Sequence, residues 1–423
     1  MGQTMSSVPN RWTLAGAAVL MQVCLGIIYA WSVFRGPLER HYGWSKTVSI
    51  APYRWSILCF TLAMIVAGFW QDKKGPRLVG SVGGLLLGTG CLLAGLIGGT
   101  PLGLNLSYGV VAGLGVGFAY VTPIATCVKW FPDRRGFVVG LAVMGFGIGS
   151  MVFAPMLEAM LGKDPAQFAA TIPKTFFVLA GVFYVLVTGC AQLYRVPPQG
   201  WKPAGWTPPA SQQTARADFA PGEMLRSWQF YVLWVVYFLG ASIGLTAIGE
   251  SAPLIKELAS VGAVMSGGMA LGVMSLFNGV GRLAWGAASD RAGRRQVILA
   301  MFVISALTCT LLLPQTRDFW RVLMGICAVG FCYGGYLAVM PSLAAEYFGA
   351  RRIGANYGIL FTAWGAAGFL VPRWIAGVIE REKAVGSVAS GYNQMFYALG
   401  ALAVVGFLVT FLLRGPASRH ETL

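Results

Sequence analysis

Three arginines of this 423-residue chain fall inside apolar runs, and one of them, Arg282, lies far from any loop. In "SLFNGVGRLAWGAASDRAGRR" (275–295) it stands eight residues before Asp290, where the charges begin. At 1.5 Å per residue of helix that is about 12 Å, close to mid-depth of a hydrocarbon layer about 30 Å thick. A guanidinium cannot shed its proton in a protein, and placing one there costs roughly 2.5–3.5 kcal/mol. Glu158, Glu250 and Glu346 all fall near the ends of their runs, so no acid shares its depth. The chemistry this suggests is carboxylate recognition: two oxygens match the guanidinium fork, and the missing counter-anion is the cargo. The competing reading is a structural arginine bonded to carbonyls and tyrosines of neighbouring helices. Arg54 and Arg373 are placed to reach the outer interface by snorkelling. Asn278, one turn before Arg282, shares its helix face and is suited either to a substrate hydroxyl or to helix packing.

The elements that must carry these residues are membrane helices. The chain is 56% hydrophobic and 11% charged, against roughly 25% charged for a soluble domain. Runs of about 20 apolar residues predict twelve spans. They cover 12–34, 48–70, 78–99, 102–128, 136–158, 173–194, 227–251, 264–289, 296–314, 319–345, 354–379 and 390–413. A Pro-rich polar stretch, 196–226, separates residues 1–195 from 227–423. The fold class expected is all-α and membrane-spanning, with twelve helices in two six-helix bundles. Loops on the side of the termini hold 18 of the 31 Lys and Arg residues and the opposite loops ten, so both termini are expected in the cytoplasm.

The net charge of +16 comes from short basic clusters between apolar runs, which is loop topology rather than a nucleic-acid surface. The eight cysteines sit within apolar runs without a C-x-x-C pair and read as buried hydrophobes. His41 and His420 fall in polar loops or tails, so no metal site is expected. "GLGVG" (113–117) and "GFGIG" (145–149) lack the strand and acid of a dinucleotide site and suit close helix approach instead. No Walker motif is present, and no cofactor is expected. "MGQTMS" at the start fits the loose myristoylation pattern, by chance on a chain that spans the bilayer many times.

The two halves repeat. "GFWQDKKGPR" (68–77) answers "GAASDRAGRR" (286–295) at an offset of 218, "RGPLER" (35–40) answers "SAPLIK" (251–256) at 216, and "WFPDRRGFVVGL" (130–141) answers "YFGARRIGANYGIL" (347–360) at nearly the same offset. Parallel repeats of this kind mark a transporter with its site at midplane between the halves. Asp72 and Asp290 recur at matching places beside basic residues. They are candidates for a latch that holds the halves in one state, with Arg134, Arg135, Arg351 and Arg352 as partners.

Twelve spans, a central linker and the "DKKGPR" and "DRAGRR" loops resemble the major facilitator superfamily. Within it, "WFPDRRGFVVGLAVMG" resembles the signature of the monocarboxylate transporters, while "NRW" (10–12) and "SLFNGVGR" (275–282) are more similar to the bacterial oxalate–formate exchangers. The resemblance covers essentially the whole chain. It implies that Arg282 handles substrate. It also implies that spans one, four and ten line the cavity, which makes Tyr29, Tyr120, Tyr333 and Tyr336 candidates to meet a small organic acid. Trp364 stands where the exchangers carry a lysine, and a lone cation beside an indole suits a monocarboxylate better than a dicarboxylate. Phe361, on the same face, is a candidate to narrow the cavity. The chain departs from the monocarboxylate transporters at Asn278, where they typically have an aspartate implicated in proton coupling, and at Val33, where the animal members have a lysine.

These readings converge on a secondary transporter of lactate- or pyruvate-like anions rather than an enzyme, and the resemblance implies a proton as co-substrate although no acidic residue stands near Arg282 to carry it. A monomer in the cell membrane, inner or plasma, is expected. An oxalate/formate-type anion exchanger is the alternative.

Overall fold

The computed structural model describes residues 10–162, 164–198, 200–203, 205–207, 218–258 and 267–413. The start "MGQTMS", His420 and the basic residues at 163, 216, 414 and 419 lie outside them, as do the first residues of the eighth expected span. The apolar runs become α1 (Arg11–Ala30), α2 (Lys46–Lys74), α3 (Pro76–Ile97), α4 (Pro101–Trp130), α5 (Arg135–Leu161) and α6 (Pro165–Leu193) in the first half. The second half has α7 (Trp228–Glu257), α8 (Gly267–Ala292), α9 (Arg294–Leu312), α10 (Phe319–Phe348), α11 (Ile353–Glu382) and α12 (Val388–Thr410). Eleven of the described helices are long and apolar enough to cross a membrane. The twelfth is α8, diluted by Ser275, Asn278 and Arg282. Exposed Leu62, Leu102, Val185, Leu311 and Leu408 give the bundle an apolar outer surface suited to lipid.

Sequence punctuation sets the helix ends. Gly75 (φ 85°) and Gly293 (φ 92°) take backbone conformations that glycine tolerates best, which turns the chain sharply from α2 into α3 and from α8 into α9. Two spans are interrupted inside the bundle. A tighter 3-10 turn at Gly26–Ala30 breaks α1 before the chain continues as a helix over Trp31–Tyr42, and α11 is broken at Phe361 between Ile353–Leu360 and Thr362–Ala384. The first break carries Tyr29 and the second carries Phe361 and Trp364.

The halves meet chiefly where α5 crosses α8 and where α2 crosses α11. Both crossings are backbone-close. A Cβ on Gly140 would clash with the Arg282 carbonyl oxygen, and one on Gly358 with that of Met64. The second part of the linker is docked rather than loose. Phe219 N–H donates to the Phe348 carbonyl at 3.0 Å, and Asn356 Nδ2 donates to the Phe219 carbonyl at 3.1 Å.

Candidate functional site

Arg282 is 0% exposed, and the ion pairs among the described residues do not include it. Its Nε donates to Asn278 Oδ1 at 3.1 Å, and its Nη1 donates to the Val143 carbonyl on α5 at 2.6 Å. The guanidinium carbon stands 5.8 Å from the centre of the Phe146 ring. Nη2 is buried without a hydrogen-bond partner. One amine of a permanent cation thus makes no hydrogen bond to protein near the middle of the molecule, where a carboxylate would be a strong acceptor. Asn278 is engaged at both ends, since its Nδ2 donates to the Gly330 carbonyl on α10 at 3.1 Å. It orients Arg282.

Aromatic rings enclose this cation. Tyr29 and Tyr120 set their rings edge-on to Phe146 at 5.0 and 5.2 Å. Phe361 stacks on Trp364 at 4.9 Å and lies 5.4 Å from both Tyr120 and Phe60. The Trp364 indole Nε1 donates to the Tyr333 hydroxyl at 2.7 Å. An indole N–H can only donate, so the Tyr333 oxygen accepts and its own proton is directed elsewhere. The Tyr29 hydroxyl lies within reach of both Arg282 and Tyr333. Tyr336 is elsewhere: its ring packs on Phe302 of α9 at 5.1 Å and against Gly240 of α7, inside the second half. Of the expected site residues the structure therefore brings together Tyr29, Tyr120, Asn278, Arg282, Tyr333, Phe361 and Trp364, and leaves Tyr336 aside.

A cavity of about 400 Å³ leads to this cluster from the face opposite Arg11 and Leu413. Both halves line it, through α1, α2, α5, α7 and α8, and Tyr29 and Asn278 form its floor. They are also the roof over Arg282. Phe60, Phe146, the Val143 carbonyl and Tyr357, whose ring lies 5.8 Å from that of Phe361, were not anticipated by sequence reasoning. The internal repeat holds a signal for two of them: at the offset of 218, Phe146 answers Trp364 and Val143 answers Phe361.

On the opposite face the halves are shut. Asp290 of α8 accepts from the N–H groups of Gly136 and Phe137, at 2.9 and 2.8 Å, at the start of α5. Asp72 of α2 accepts from Gly354 and Ala355, at 3.4 and 2.8 Å, at the start of α11. Each carboxylate thus caps a first turn whose amides lack intrahelical partners and whose dipole favours negative charge. Lys129 reaches Asp72 at 3.1 Å, while Arg294 reaches Asp290 at 2.7 Å and Glu346 at 3.0 Å. Of the expected arginine partners, Arg134 and Arg351 are placed differently. The Arg134 side chain is 63% exposed and turns to Asp133 at 4.0 Å. Arg351 offers its backbone N–H to Asp218 at 3.2 Å. Arg351 and Arg352 are exposed, and Arg135 opens α5 one residue before Gly136. Main-chain amides are invisible in a side-chain pattern, which is why basic residues looked like the natural partners.

Comparison with known proteins agrees with this architecture. The family model described as Major Facilitator Superfamily matches residues 12–372 and 262–423. The chain is 30% identical over 425 residues to the "Oxalate:formate antiporter" of Oxalobacter formigenes, covering 97% of this chain and 94% of that one. It is also 30% identical over 359 residues to the "Uncharacterized MFS-type transporter YhjX" of Escherichia coli K12, at 84% and 85% coverage. The "Apicoplast pyruvate carrier 1" of Toxoplasma gondii is 29% identical over 71% of this chain and 64% of its own length. Among solved structures, the human organic anion transporter MFSD10 superposes with a TM-score of 0.73 at 15% identity, over 95% of this chain and all of that one. The proton:xylose symporter XylE superposes with 0.71 at 13% identity, over 96% of each chain. At such identities the structural likeness speaks for the fold alone. The match across the chain and the full-length relatives place this protein in the major facilitator superfamily.

Proposed function

We propose that this protein carries small monocarboxylates such as lactate or pyruvate across the cell membrane, with a proton as co-substrate, by alternating access around Arg282. The observation that carries the reading is a buried guanidinium that pairs with no acid among the described residues and has one amine without a hydrogen bond to protein. A carboxylate entering past Tyr29 and Asn278 would find Nη2 without a competing hydrogen bond to protein. Nη1, one of whose two N–H groups holds the Val143 carbonyl across the two halves, has a second to offer the other oxygen. Substrate occupancy would thereby neutralise the charge that makes closure costly. The proton that Tyr333 directs away from Trp364 supplies a further donor for the anion. A proton travelling with the anion makes the translocated pair neutral, which suits a path whose buried charge is Arg282. The basic bias of the loops beside the termini supports a cytoplasmic location for that face, so the cavity opens outward in this state.

An anion exchanger is the second reading, favoured by the full-length relative named an oxalate:formate antiporter. Trp364 argues against a dicarboxylate, since it adds an indole rather than a second cation to the site.

The test is labelled lactate uptake into proteoliposomes, with and without an inward proton gradient, for the parent and Arg282→Lys. Gradient-stimulated uptake in the parent, with near-complete loss in the variant, is expected. Uptake driven by an outward formate gradient and indifferent to protons would favour the exchanger. Normal uptake by Arg282→Lys would remove the guanidinium from the mechanism.

A further inference from the structure

A second arginine lines the same cavity. Arg35 lies on the short helix Trp31–Tyr42, six residues after Tyr29, which is roughly 10 Å further along the chain axis. Among the described residues it is the one charged side chain lining the cavity whose floor is Tyr29 and Asn278. It is loosely held. Its Nε sits 3.4 Å from Ser49 Oγ and its Nη2 sits 3.7 Å from Glu39 Oε1. The short bond in the group belongs to the other pair, with Ser49 Oγ donating to Glu39 at 2.5 Å. The Trp31 indole in turn donates to the Ser49 carbonyl at 2.9 Å, which fixes the start of α2 beside the helix that bears Arg35. Glu39 is therefore drawn toward Ser49, and the arginine keeps 31% of its side-chain surface exposed.

We infer that Arg35 is an encounter site for the incoming carboxylate, separate from Arg282 and above it in the cavity, with Glu39 as the competitor that keeps the site weak. The proposal rests on the monocarboxylate reading for the class of ligand. A cation at the mouth of an apolar-walled cleft concentrates the field there and raises the local density and capture rate of anions. A carboxylate oxygen that approaches Nη2 closer than 3.7 Å out-competes Glu39 without breaking a short hydrogen bond. Release inward is then easy, because the encounter pair stays partly solvated and is worth little, while the dehydrated cation below lacks an acceptor. The chain provides two anion stations of unequal strength in series.

The two members of the pair should act in opposite directions, which a mere structural ion pair would not do. The experiment measures lactate uptake kinetics in proteoliposomes for Arg35→Gln, Arg35→Lys, Glu39→Gln and Arg282→Lys, at low and at high ionic strength. Arg35→Gln is expected to raise KM about five-fold at low salt with kcat within about two-fold, and to lose most of the salt dependence of KM. Arg35→Lys should retain that salt dependence, and Glu39→Gln should lower KM. If Arg35→Gln and Glu39→Gln move KM the same way, or neither moves it, the encounter site is refuted. Loss of uptake in Arg282→Lys alongside that result would leave the central reading standing. Absence of lactate uptake in the parent, or normal uptake in Arg282→Lys, would instead overturn the central reading itself.

Discussion

The crossing of α5 with α8 and the crossing of α2 with α11 share one plan at their ends and differ where they form the site. At the offset of 218, Gly136 answers Gly354, Gly140 answers Gly358, and Asp72 answers Asp290. The contacts repeat as well: each aspartate caps the first turn of the opposing helix, and each second glycine lets the backbones touch. At the place where α8 carries Arg282, α2 carries Met64, equally buried. Duplication thus supplied two matching aspartate-capped interfaces, and Arg282 is a charge that only the second-half copy carries. A transporter needs two states of similar free energy, which a repeated interface favours. It needs only one fixed charge to hold one anion.

Five substitutions put the pairing of these two crossings to the test. The largest effect is expected from Met64→Arg, which would bury a second cation opposite the first at a cost of roughly 3 kcal/mol. Its thermal midpoint should fall well below the parent's and recover more with oxalate than with lactate, since two cations suit two carboxylates. Next come Asp72→Asn and Asp290→Asn. Each replaces a charged cap with a neutral amide and should shift the open–closed equilibrium about ten-fold, read as labelling of a cysteine placed on the face that bears the termini. Similar shifts from both confirm the symmetry, and a shift from one alone breaks it. Trp364→Phe keeps the stack on Phe361 but removes the donor to Tyr333, and KM should rise about five-fold with stability nearly unchanged. Met64→Leu, conserving volume at the neutral position, should change KM by less than about two-fold.

Much of this was legible in the residues because a bilayer leaves few options. Runs of apolar residues 20 long must be helices, so the spans, the two bundles and the repeat followed from hydropathy and from pairs such as "QDKKGPR" and "SDRAGRR". Arg282 stood out for the same reason, as a charge where charge is expensive. What stayed hidden depends on the main chain or on distant neighbours. The Val143 carbonyl has no signature in a sequence, nor do the amides that Asp72 and Asp290 cap. Tyr336 was misleading: three residues after Tyr333, it stays within about 60° of it on α10. Both rings lie against α7, at Gly240 for Tyr336 and Gly244 for Tyr333, but Tyr336 also packs on Phe302 of α9 while Tyr333 reaches Trp364. Phe60 and Phe146 look like ordinary packing residues until the fold sets them against Tyr120 and Arg282.

The account stands on the cargo's negative charge completing the hydrogen bonding of Arg282, and competition by a neutral mimic tests that most directly. Labelled lactate binding to the purified parent should be displaced by unlabelled lactate at least about 100-fold more effectively than by lactamide, which matches its shape without its charge. In Arg282→Gln that preference should vanish. Equal displacement by lactate and lactamide in the parent, or an undiminished preference in the variant, would contradict it.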